Sequence, residues 1–145
     1  MTMKSILFVA ATTGAISLAM PVASAQAGFC DSGKDCQTVK IVNSASTVVT
    51  SVKVTQQSTD GACETDERQY TQNLSATGGG PDGFSSQSFS IGMMTTCTYK
   101  VKFKTTKGCK GDKVAHIGPK QFRNGKNGVK LYRTCGTLKA GSFEK

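Results

Sequence analysis

The sequence predicts an all-β protein, a single antiparallel β-sandwich of Ig-like or jelly-roll-like type, stapled by disulfides. Three observations carry that expectation. The stretch Cys97-Thr98-Tyr99-Lys100-Val101-Lys102-Phe103-Lys104-Thr105 alternates strictly, with Cys97, Tyr99, Val101 and Phe103 on one face and Thr98, Lys100, Lys102 and Lys104 on the other. Such alternation marks a half-buried strand. Six cysteines, Cys30, Cys36, Cys63, Cys97, Cys109 and Cys135, follow an apolar leader, and an even count in that context reads as a disulfide framework made in an oxidising compartment. Short β-branched runs recur between turn signals, and no stretch carries the apolar stripe of an amphipathic helix.

The leader comes first. Met1–Lys4 holds one positive charge, Ile6–Met20 is apolar and Ala-rich, and Ala23-Ser24-Ala25 and Ala25-Gln26-Ala27 each offer a small-x-small cleavage site. Residues 1–27 are therefore expected to be a secretory signal peptide, too short and wrongly flanked to anchor permanently. Residues 28–145, about 120 in all, have the size of a single domain. Cys30 and Cys36 flank the turn-rich Asp31-Ser32-Gly33-Lys34-Asp35 and can close locally.

Val39–Asn43 reads as the first strand, Asn43-Ser44-Ala45-Ser46 as a turn and Val48–Thr55 as a second strand, on their β-branched content. Gln56–Gly83 is the least regular region: a helical turn is possible over Thr65–Asn73, and Gly78-Gly79-Gly80-Pro81-Asp82-Gly83 is a loop. That glycine run lacks the Gly-Lys-Ser/Thr ending of a phosphate cradle. Phe84–Ile91 is a serine-rich strand suited to a sheet edge, with Phe89 and Ile91 inward. After the central strand, Lys107–Asp112 turns and Lys113–Ile117 forms a short strand. Lys120–Arg123 is then expected to pair with Val129–Arg133 across Asn124-Gly125-Lys126-Asn127-Gly128, because two Asn-Gly pairs between alternating runs signal a hairpin.

Six cysteines leave the connectivity open. Parity favours Cys97–Cys135, since Val129, Leu131 and Cys135 share a face. This pairing would leave Cys63–Cys109 joining loops and Cys30–Cys36 closing locally. The order of Val42-Asn43 and a valine-rich strand, then Asn73-Leu74, Cys97-Thr98-Tyr99-Lys100-Val101 and a closing Val129-Lys130-Leu131-Tyr132-Arg133-Thr134-Cys135 resembles a group of small secreted bacterial β-sandwich proteins. The resemblance covers most of the mature chain. It implies the same Cys97–Cys135 pairing and nothing catalytic.

Catalytic and metal-binding chemistry find little material. His116 is the only imidazole, there is no G-x-S-x-G elbow, and the cysteines are expected to be oxidised. No C-x-x-C is present to hold zinc. Asp60, Glu64, Asp66 and Glu67 cluster beside Cys63, but their spacing matches no calcium loop, and a solvated acidic loop is the better reading. No metal and no cofactor is expected.

Charge carries the clearest functional signal. From Gly28 to Thr98 there are four Lys/Arg against seven Asp/Glu; from Tyr99 to Lys145 there are thirteen against two. One face of the domain should thus be basic and suited to an anionic partner. Lys100, Lys102 and Lys104 follow one another at about 7 Å on the outward strand face, a spacing that can track phosphates or sulfates. Lys130 and Tyr132 share an outward face and would extend the surface if their strand neighbours the central one. Lys107, Lys110, Lys113, Lys120, Arg123, Lys126 and Arg133 add to the charge. The expected function is therefore a secreted or periplasmic, non-enzymatic binding module for an anionic polymer, glycan or envelope surface. Nucleic acid is less favoured, because it normally meets more aromatics and more Arg. One alternative is a small secreted hydrolase or toxin of ribonuclease type, using His116 with an acid such as Glu64. Another is an adhesin or inhibitor docking through the edge strand Phe84–Ile91.

Overall fold

A computed structural model describes residues 27–58, 63–71, 73–76 and 88–144 of the chain. Residues 1–26 of the expected 1–27 signal peptide, the glycine run 78–83 and Phe84–Gln87 of the expected edge strand lie outside the described residues.

The chain folds as two packed four-stranded sheets. One has the order β4-β1-β7-β8, from β1 (Cys36–Ala45), β4 (Ser88–Met94), β7 (Gly128–Arg133) and β8 (Lys139–Phe143). The other has the order β3-β2-β5-β6, from β2 (Val49–Gln57), β3 (Asp66–Tyr70), β5 (Thr98–Thr105) and β6 (Val114–Ile117). The core lies between them. Tyr99, Val101 and Phe103 of β5 meet Val39 and Ile41 of β1, Phe89 and Ile91 of β4, and Val129 and Leu131 of β7 in one buried cluster. The alternation read from the sequence is thus the inward–outward alternation of a sandwich strand: Lys100, Lys102 and Lys104 are all exposed. The sheets are antiparallel with one exception, since β1 and β7 run parallel.

Two elements depart from expectation. Asp66–Tyr70 is a strand pairing with β2, not a helical turn. Its own alternation is legible once placed: Glu67 and Gln69 are exposed, whereas Arg68 stacks its guanidinium 5.0 Å over the Phe29 ring and Tyr70 packs 5.0 Å from Phe89. Lys120–Arg123 is not a hairpin arm but belongs to a short helix, α1 (Pro119–Arg123). Pro119 sits at the first helical position, where its missing N–H costs nothing. The Gln121 side chain accepts from the Gly118 N–H at 2.9 Å. Asn124-Gly125, expected to turn a hairpin, instead ends the helix, with Gly125 at a left-handed φ of 81°. With that arm gone, β7 pairs with β1 and with β8, a glycine-containing strand that β-propensity did not reveal.

The disulfides are Cys30–Cys36, Cys63–Cys97 and Cys109–Cys135. Local closure of Cys30–Cys36 is as expected, but Cys97–Cys135 and Cys63–Cys109 are corrected. Arg133 adopts a left-handed φ of 75° and breaks the strand parity, so Cys135 swings outward and is exposed. Cys97 precedes the N-terminal end of β5 and Cys109 follows its C-terminal end. The eight residues of β5 hold them roughly 25 Å apart, so each takes a partner at its own end of the sandwich.

Ala27–Cys30 packs along the open side between β3 and β4. The Phe29 N–H donates to the Gly92 carbonyl at 2.7 Å, and the Tyr70 hydroxyl donates to the Ala27 carbonyl at 2.7 Å. Backbone meets backbone so closely here that a Cβ on Gly28 would stand 2.3 Å from the Gly92 nitrogen. No helix among the described residues is long and apolar enough to cross a membrane.

Tyr99 is fully buried; its hydroxyl donates to Gln56 Oε1 at 2.6 Å and accepts from the Met94 N–H at 2.9 Å. Burial raises the pKa of Tyr99 above the ordinary tyrosine range, against the lowering effect of the Met94 N–H, and burial likewise raises that of Tyr70. A folded-state pKa above the unfolded one adds stability that is complete below the unfolded value near pH 10 and is lost as pH rises through the folded values. Thermal stability is therefore expected to fall steeply above about pH 10, with tyrosinate absorbance appearing together with loss of the β-sheet dichroism. Full ionisation of every tyrosine with the fold intact would refute this.

A lysine-lined cleft on the outer face

The register across β2, β5 and β6 places the outward lysines. Lys53 stands opposite Lys102, Ser51 opposite Lys104, and His116 opposite Lys100. A β-bulge lies at the start of β2, where Val49 and Ser51 face the consecutive residues Thr105 and Lys104. A bulge bends its strand. Beside this bend the sheet face is concave, forming a cleft of about 470 Å³ that Lys53, Lys102, Lys104, Lys107 and Lys113 line together with Ser51 and Gln69.

The far wall is the segment following β5. The Cys109–Cys135 bridge ties it down, and the Gly136 N–H donates to the Lys110 carbonyl at 3.0 Å. The Asp112 N–H donates to the Leu138 carbonyl at 2.8 Å, and the Thr106 and Thr47 hydroxyls meet at 3.0 Å. Gly111 must be glycine, with a φ of 138° and Leu138 backbone 2.4 Å from where a Cβ would stand. The Lys113 ammonium donates to the Cys109 carbonyl at 3.0 Å and to Thr105 Oγ1 at 3.4 Å. Among the described residues these contacts use two of its three N–H groups.

Among the described residues, the cleft lining contains no carboxylate. Asp112, the nearest acid in sequence, accepts from the Val114 N–H at 3.1 Å. Glu67 pairs with Lys53 at 3.4 Å from the adjoining strand, both side chains about half exposed, and such a pair contributes little. Apart from this Glu67 contact to Lys53, the cleft lysines are like charges that repel by roughly 1 kcal/mol per close pair in water, an unfavourable term that a bound anion would reverse.

Of the residues singled out from sequence, Lys102 and Lys104 line the cleft; Lys100 lies beyond it, on the row shared with His116. Lys130 and Tyr132 do not extend this surface, because β7 belongs to the other sheet and their side chains face away from it on the opposite side of the sandwich. There Lys130 Nζ sits 5.4 Å from the Tyr132 ring and 5.5 Å from the Phe143 ring. Lys53, Lys107 and Lys113 complete the cleft, and only the β2/β5 register and the bridge-held loop reveal them. His116 is exposed on β6, while Glu64 lies two residues before the start of β3, so β2 and β5 separate the two. Among the described residues no group of three or more His, Cys, Asp or Glu side chains could hold a metal ion.

The chain matches no protein-family model and no curated protein sequence. Among solved structures it is similar to a protein from Eubacterium rectale (TM-score 0.43, 16% identity, covering 79% of this chain and 93% of that one). It is also similar to the membrane-binding domain of pneumolysin (TM-score 0.39, 8% identity, 76% and 97%). A third similar structure, described as a trapped toxin, has a TM-score of 0.41 and 10% identity, and the alignment covers 76% of this chain; this chain spans only 24% of that protein's length. At this level of similarity none of them bears on what this chain binds.

Proposed function

We propose that the protein is a secreted or periplasmic binding module that takes an anionic ligand in the cleft on the outer face of the β3-β2-β5-β6 sheet. One observation carries the reading: five lysines from two strands and a disulfide-held segment converge on one concavity whose lining, among the described residues, has no carboxylate. Three disulfides, and the lack among the described residues of a helix able to cross a membrane, are compatible with an extracellular or periplasmic location. Edge-strand docking through β4 has less support, because Ala27–Cys30 already lies against that strand at Gly92.

The test is a charge-matched comparison. Lys102→Gln, Lys104→Gln and Lys107→Gln together remove three charges from the cleft; Lys34→Gln, Lys40→Gln and Lys120→Gln remove three that do not line it. All three cleft side chains are exposed, so the fold should persist. Three charge-assisted contacts of about 1 kcal/mol each would lower affinity for a polyanionic probe such as heparin by on the order of 100-fold. The salt dependence should flatten as fewer counterions are released. Equal loss from both triples would mean that net charge alone is felt, and the cleft reading would fail.

A further inference from the structure

We infer that the cleft recognises closely packed phosphate groups on a compact ligand, a condensed phosphate chain or a multiply phosphorylated headgroup, in preference to the extended backbone of a nucleic acid. This rests on the anionic-cleft reading above and narrows it by three observations.

The first is arrangement. A ladder of Lys100, Lys102 and Lys104 alone would run in a line along β5. Instead, Lys53 approaches from β2, Lys102 and Lys104 from β5, Lys107 from the following turn and Lys113 from just before β6. Charges that converge from several sides of a cleft of about 470 Å³ match a ligand with its own charges crowded together. A single-stranded nucleic acid brings one charge per nucleotide and must run on beyond the cleft to bring more.

The second is the absence of a stacking platform. Bases bound without sequence preference are held largely on aromatic faces. Among the described residues the one aromatic in the lining is Phe103, which is 1% exposed and packed in the core. The exposed ring surface of Tyr132 belongs to the opposite sheet.

The third is donor type. Among the described residues the lining holds lysine without arginine, and adds Ser51, Thr105 and Thr106 hydroxyls. Ammonium groups act as compact point charges with freely aimed donors, whereas paired recognition of a planar carboxylate uses the guanidinium fork. Phosphate oxygens, which accept from many directions, suit such a set. Lys113 is held by Cys109 and Thr105, which fixes its ammonium at the cleft wall.

Calorimetric titration of the intact, oxidised protein at one fixed salt concentration tests this, with tripolyphosphate, orthophosphate, oligouridylate and a heparin hexasaccharide as probes. Tripolyphosphate is expected to bind at least tenfold more tightly than orthophosphate or oligouridylate. The Lys102/Lys104/Lys107 triple should lose that binding, whereas the Lys34/Lys40/Lys120 triple should keep it. Circular dichroism verifies that each variant is folded, and Lys53→Gln alone supplies a second cleft variant that shares no residue with the triple. Sedimentation with phosphatidylcholine vesicles, with and without a bisphosphorylated inositol lipid, then assigns the source. Capture that tripolyphosphate competes away points to a headgroup, and tripolyphosphate binding without capture points to a soluble phosphate chain; either supports the inference. Oligouridylate or heparin binding as tightly as tripolyphosphate, and still through the cleft lysines, overturns the phosphate-density inference and leaves the anionic cleft standing. No probe depending on the cleft lysines overturns both.

Discussion

Asn43→Asp is expected to lower the melting temperature by roughly 10–20 °C at neutral pH, taking about 3–5 kcal/mol from a domain of this size. Asn43 is completely buried. Its amide nitrogen faces three carbonyl oxygens, those of Thr47 at 2.8 Å, Ser75 at 3.1 Å and Leu74 at 3.2 Å, and its side-chain oxygen accepts from the Ala45 N–H at 3.0 Å. One side chain thereby fixes the β1–β2 connection and ties it to the 74–75 segment. An ionised aspartate has acceptors only, so it would turn a negative oxygen toward those carbonyls where water cannot compensate. Asn43→Ala removes the partners without adding a charge and should cost less, about 2–3 kcal/mol. The order is therefore Asn, then Ala, then Asp at neutral pH. Near pH 4, where a buried carboxyl protonates and regains one donor, the gap between Ala and Asp should narrow. Melting curves of the three proteins at both pH values check this; equal melting temperatures would remove Asn43 from the account of the fold. The effect should reach the cleft as well, because the Thr47 hydroxyl meets that of Thr106 at its wall.

The second large effect is expected at Cys63–Cys97. Its cysteines are 5% and 1% exposed and lie 34 residues apart in sequence. Loop-closure entropy alone assigns such a bridge about 3–4 kcal/mol. The Cys63→Ala, Cys97→Ala double variant should accordingly unfold at markedly lower denaturant than the parent. Cys30→Ala with Cys36→Ala, spanning 6 residues, should cost less. Cys109→Ala with Cys135→Ala should show a different signature: a smaller loss of stability than at Cys63–Cys97, since Cys135 is exposed, but weakened anion affinity as the wall carrying Lys107 loosens. Non-reducing peptide mapping should recover Cys63 linked to Cys97 and Cys109 linked to Cys135. Recovery of a Cys97–Cys135 peptide would overturn the connectivity and the division of roles between the two ends of the sandwich.

Alternation along Cys97–Thr105 determined, from sequence alone, which side chains of β5 enter the core and which face water, because strand side chains alternate whatever the strand pairs with. The even cysteine count and the scarcity of helical periodicity likewise sufficed for a disulfide-stapled β-sandwich. Partnership was another matter. Whether Asn124-Gly125 turns a hairpin or caps a helix depends on Pro119 and Gln121 upstream and on a buried place for Phe122, which only packing supplies. Parity could not pair Cys135, because one left-handed residue, Arg133, reverses the facing of everything after it. The outward lysines of β5 were evident in the sequence, yet their neighbours were not. Lys53 lies 49 residues before Lys102 and stands opposite it only through the β2/β5 register, while Lys107 and Lys113 reach the cleft because a disulfide and a backbone contact at Gly111 hold their segment in place. Long-range register and cross-links set the cleft, and neither is encoded in the local periodicity of any one strand.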